Sequence, residues 1–86
     1  MDYALVLTAR AEKDLADLPR EVLMRADGVI IALAQSPRPH GAKKLRDAGE
    51  VWSVRVGREY RILYSIDDTA RQVTIARVRH RRDAYR

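Results

Sequence analysis

Apolar and polar positions alternate along three stretches in the second half of the chain, at residues 51–56, 60–66 and 72–78. A period of two predicts half-buried strands, because successive side chains point to opposite faces of a sheet. Trp52, Val54 and Val56 fall on one face of the first strand, and Ser53 and Arg55 on the other. In the second, Tyr60, Ile62, Tyr64 and Ile66 share a face and Arg61, Leu63 and Ser65 oppose them. Arg55 and Arg61 are therefore expected together on the face turned away from the aromatic one. Gly57-Arg58-Glu59 and Asp67-Asp68-Thr69-Ala70 are short breaks that suit hairpin turns. The tail is Arg79-His80-Arg81-Arg82-Asp83-Ala84-Tyr85-Arg86.

The first half changes period. Residues 3–7 read as a short strand, and Thr8 suits the cap of a following helix, since its hydroxyl can accept from an orphan amide. Residues 9–18 then carry Ala11, Leu15 and Leu18 on one side, with Glu12, Lys13, Asp14 and Asp17 on the solvated side. Pro19 separates this helix from a longer one over residues 20–35, whose stripe is Val22, Ala26, Val29, Ile30 and Leu33. Gly28 lies inside it at a cost of roughly 1 kcal/mol against alanine. Ser36-Pro37 stops the helix, and residues 38–50 read as a loop with Pro39, Gly41 and Gly49 as breakers and Leu45 as anchor. The pattern predicts one α+β domain over residues 1–86: an N-terminal strand, a helical hairpin and a three-stranded antiparallel meander. The helices are expected on one sheet face, leaving the other as an open groove.

Charge sharpens this picture. Residues 1–36 hold four Lys/Arg and six Asp/Glu, a balance of −2, whereas residues 37–86 hold thirteen and six, a balance of +7. The basic half is the meander and its entry loop, which points to a polyanion, nucleic acid first. The absence of cysteine excludes disulfides and thiol catalysis and fits a reducing, cytoplasmic setting. No apolar run approaches the roughly 20 residues that span a bilayer, and Asp2 and Arg10 interrupt any secretory leader, so no membrane partner is expected.

The residue types narrow the chemistry. His40 and His80 are far apart, and no carboxylate cluster has ligand spacing, so no metal or other cofactor is expected. There is no glycine-rich phosphate loop and no Ser-His-Asp signature. Metal-free phosphodiester cleavage remains open to such a chain: an RNA 2′-OH can attack the adjacent phosphorus, so the protein need only align the atoms, stabilise charge on the phosphoryl oxygens and move protons. Arginine forks match phosphate oxygens. His80, Tyr85 or an arginine can serve the proton transfers.

Tyr60-Arg61-Ile62-Leu63-Tyr64-Ser65-Ile66-Asp67-Asp68, with the tail from Val78 to Arg86, resembles the RelE/ParE toxin superfamily. Ser36-Pro37, Lys44-Leu45-Arg46 and Val54-Arg55-Val56-Gly57 match it too, so the resemblance spans almost the whole chain. It implies a type II toxin that cuts mRNA in the ribosomal A site on a small RNase-like sheet, partnered by a cognate antitoxin in a hetero-oligomer. The alternative within the superfamily is a ParE-like poison of DNA gyrase that acts by binding. By motif, Arg61 matches the phosphate-binding arginine, Arg81 the arginine of transition-state stabilisation or leaving-group protonation, and Tyr85 the tyrosine that positions substrate. Arg55 matches the second of two basic strand residues; the first falls at Ser53, which leaves the general base open and gives His80 a compensating role to fill. Lys43, Lys44, Arg46, Arg58, Arg77, Arg79 and Arg82 are the accompanying candidates for RNA contact.

Overall fold

The computed structural model describes residues 2–45 and 49–82. Among these residues five strands form one sheet in the order β1-β5-β4-β3-β2. These are β1 (Ala4–Leu7), β2 (Lys43–Lys44), β3 (Val51–Val56), β4 (Tyr60–Asp67) and β5 (Gln72–His80). Two helices, α1 (Ala9–Ala16) and α2 (Arg20–Gln35), lie between β1 and β2 in the chain. The expected α+β arrangement is observed, with β3, β4 and β5 as the antiparallel meander and β1 parallel to β5.

Local chemistry explains the boundaries. The Thr8 hydroxyl accepts from the Ala11 amide at 3.0 Å, capping α1 as its position suggests. Proline fits the start of a helix but not its interior, and Pro19 stands immediately before α2. The apolar stripe of α2 buries Ala26, Ile30 and Leu33, while Val22 and Val29 pack beside them. From the sheet come Val54, Val56, Ile62, Tyr64, Val73, Ile75 and Val78. Tyr64 is fully buried; its hydroxyl donates to the Pro37 carbonyl at 2.6 Å, and burial pushes the phenol up to about 12. It is a core residue rather than an acid, a base or a platform for stacked bases. Gly28 is exposed, and a β-carbon there meets nothing within 4 Å, so no close packing requires glycine. Gly28→Ala should raise stability by about 1 kcal/mol in a denaturant titration.

Three expectations are corrected. The segment over residues 38–50 is not all loop: Lys43 pairs with Ser53 and Lys44 with Trp52, adding a short edge strand. Lysine has low strand propensity, so only the neighbouring strand reveals this pairing. Secondly, β5 runs two residues beyond the expected end, placing Arg79 and His80 in the sheet rather than in the tail. A bulge near Leu63 and Tyr64, with Ala76 as the extra residue on β5, shifts the alternation.

The third correction is Asp14. Instead of lying on the solvated side of α1, its carboxylate accepts from Arg77 Nε at 2.8 Å and from the Val78 amide at 2.9 Å. β1 pairs with β5 only as far as Ile75. Thr8 and Asp14 continue that edge with side chains, the hydroxyl of Thr8 donating to the Ala76 carbonyl at 2.9 Å. At the other end of the sheet, Asp68 accepts from both terminal guanidinium nitrogens of Arg38 and from the Tyr3 hydroxyl at 2.6 Å. This ties the β4–β5 turn to both the N-terminal segment and the chain leaving α2.

Candidate functional site

Pairing across an antiparallel sheet puts partnered residues on the same face. Arg55 pairs with Arg61, and Arg61 with Arg79. The three arginines therefore form one row across β3, β4 and β5, on the face away from the helices. The adjacent row is Lys43, Ser53, Leu63 and Arg77. Neither row contains a carboxylate. Like charges directly opposite one another on a sheet are unfavourable, so an anion laid across the rows would relieve repulsion as well as gain hydrogen bonds. A recess on this face is lined by Gly41, Lys43, Ser53, Arg55 and Arg61. Gly41 takes φ +93, which a side chain would strain, where the chain turns into β2.

The structure brings together some of the sequence-predicted residues and separates others. Arg55 and Arg61 share the row, as the alternation predicts, and Arg79 joins them because β5 is longer than expected. Arg81 follows β5, and its amide donates to the Glu59 carbonyl at 2.5 Å, extending the β4–β5 ladder by one bond. Arg82 is exposed next to it. Arg58 lies in the β3–β4 turn, in a separate groove with Val22, Arg25 and Tyr60. Tyr85 and Arg46 lie outside the described residues.

His80 is not placed with the arginine row. It pairs with Tyr60 on the opposite face, their rings edge to face at 5.4 Å. Its Nε2 is 3.6 Å from Glu59, and its Nδ1 accepts from the Arg82 amide at 3.3 Å. Lys44 also turns to the other face, with Trp52, and sits 3.4 Å from Glu50. Arg77 is engaged by Asp14, which leaves it a structural cation. Burial raises the Asp14 carboxyl, but hydrogen bonds from Arg77 and the Val78 amide outweigh it and hold the group below the usual carboxylate range.

The comparisons with known proteins fall in one place. The ParE toxin family of type II toxin–antitoxin systems matches residues 5–85, almost the full length. The chain belongs to the RelE/ParE superfamily of type II toxins. Toxin RelG of Mycobacterium tuberculosis is 37% identical over 87 residues, covering 100% of this chain and 99% of its own. The structure of the toxin–antitoxin complex RelBE2 from the same organism has a chain 34% identical, with a TM-score of 0.82 and coverage of 93% of this chain and 99% of that one. A chain of the archaeal RelE–RelB complex from Pyrococcus horikoshii superposes with the same TM-score of 0.82 at 25% identity, covering 98% of this chain and 100% of that one. The fold of this RelE-family toxin is thus the fold of its relatives. Ser53 stands on β3 between Trp52 and Val54, beside the row rather than in it.

Proposed function

We propose that the protein inhibits translation as a ribosome-dependent endoribonuclease acting in the cytoplasm on mRNA in the ribosomal A site, with a cognate antitoxin as its regulator. The observation that carries this reading is the row Arg55–Arg61–Arg79 on the sheet face away from the helices, with Arg81 following β5. In the proposed step the substrate 2′-oxygen forms a bond to the adjacent phosphorus and the bond to the 5′-oxygen breaks. The 2′-OH loses its proton and the leaving 5′-oxygen gains one, giving a 2′,3′-cyclic phosphate and a 5′-hydroxyl. The nucleophile belongs to the RNA, so the protein's task is alignment and charge stabilisation. Arg61 and its neighbours hold the phosphoryl oxygens; Arg81 and Tyr85 serve the leaving group and substrate position.

The relatives solved with RelB support the antitoxin half of the reading. An acidic segment that folds on binding would be drawn to the same face and exclude RNA from it. Expression of the toxin alone should halt translation, and co-expression with the neighbouring small open reading frame should relieve it. Primer extension on mRNA from induced cells should show cuts within codons, with cyclic phosphate ends. Gyrase-dependent DNA breaks with intact mRNA would overturn the ribonuclease reading in favour of gyrase poisoning.

A further inference from the structure

We infer that Lys43, from the edge strand β2, contacts the substrate phosphate, a role that rests on the ribonuclease reading and completes its site from outside the meander. The two residues of β2 point in opposite directions. Lys44 turns towards the helix-facing side near Glu50, whereas Lys43 stands opposite Ser53 on the arginine face. Lys43 lines the recess that holds Arg55 and Arg61, and it also lines the neighbouring opening with His40, Gly41 and Arg55.

Ser53 makes this arrangement workable. It is 3% exposed and forms part of the recess wall, with a short side chain that leaves room above it. Gly41 adds no side chain to the opposite wall. A hydroxyl with an ammonium and two guanidinium groups around it is the chemistry of a phosphate cradle. The contributions differ in kind: the guanidinium fork fixes orientation through paired donors, and the ammonium is a compact charge whose three donors can follow an oxygen as negative charge builds on it. Lys43 therefore acts on the transition state and not only on RNA affinity. Cross-strand β-carbons stand about 4.5–5.5 Å apart, so a lysine side chain at position 53 can reach the space that Lys43 occupies.

The test is single-turnover cleavage on programmed ribosomes at saturating toxin. Lys43→Ala should lower the rate about 10- to 100-fold, the scale of one lost charge-assisted hydrogen bond to a developing anion. Lys13→Ala, which removes the same charge from the exposed side of α1, should leave the rate unchanged. Ser53→Lys placed on the Lys43→Ala background should recover part of the loss, and Lys43→Arg should retain more activity than alanine. A wild-type saturating rate in Lys43→Ala, with only weaker binding, overturns the inference. If the wild-type protein itself cleaves nothing, the ribonuclease reading fails, and inorganic phosphate decides the site separately. Phosphate should then shift the amide resonances of Gly41, Lys43, Ser53 and Arg55 in the wild type and not in Lys43→Ala. No shift in the wild type overturns the cradle itself.

Discussion

Arg61→Ala should reduce mRNA cleavage on the ribosome by about 10²–10³-fold, the effect of losing one preorganised donor to a developing anion. Arg61 is the middle of the row, with Arg55 on one side and Arg79 on the other. Its removal separates the flanking guanidinium groups and leaves the phosphoryl oxygens without their central partner. Its effect on the fold should be small beside the loss of cleavage. Lysine at this position should restore only part of the rate, since it lacks the planar fork. Arg81→Ala should lose a similar factor through the leaving group. The measurement is single-turnover cleavage beside a thermal melt for each variant. Wild-type rates in both alanine variants would sink the assignment of the arginine face.

The largest effect on stability should come from Asp14→Ala. The carboxylate is mostly buried, with side-chain exposure of 17%, and it holds Arg77, whose side chain is 28% exposed. It also accepts from the Val78 amide. Truncation leaves a half-buried guanidinium and a strand amide without their acceptor, at a cost of about 3 kcal/mol. For a domain of this size that lowers Tm by roughly 15 °C. Asp14→Asn should lose less, because an amide oxygen still accepts from Val78. A drop of only a degree or two for the alanine variant would show that the β5 edge is held by other means.

The same carboxylate sets a pH dependence, together with Asp68. Hydrogen bonds from Arg38 and Tyr3 lower Asp68 from 3.8 to about 2, and Asp14 is lowered as well. Both bind protons more weakly in the folded chain than in the unfolded one, so the stability they contribute is fully present above about pH 4. It is lost as the pH falls from about 4 towards 2. An acid titration followed by circular dichroism should show this limb reduced in a variant carrying Asp14→Asn and Asp68→Asn.

Much of this was legible in the sequence because the meander obeys a strict alternation. The pairing of Arg55 with Arg61 follows from period two alone, and so does the burial of Val54, Val56, Ile62 and Tyr64. The stripe of α2 was equally readable from its helical spacing. What escaped was set by partners distant in the chain. The strand at Lys43 and Lys44 exists only because β3 offers an edge. The placement of Arg79 in the row, and of His80 away from it, depends on a bulge that no local composition announces. Asp14 looks like any solvated helix carboxylate until the early end of β1 exposes the backbone of β5 to it.

That early end belongs to a topology with a temporal meaning. Among the described residues β1 is the earliest strand in the chain, yet its partner in the sheet is β5, the latest. Synthesis proceeds at about 5–20 residues per second, so β1 and both helices wait for several seconds without the strand that joins them to the meander. β5 also supplies Arg79, and Asp14 must find Arg77 before that end of the strand is fixed. The arginine row is assembled only after the message encoding it has been read through β5.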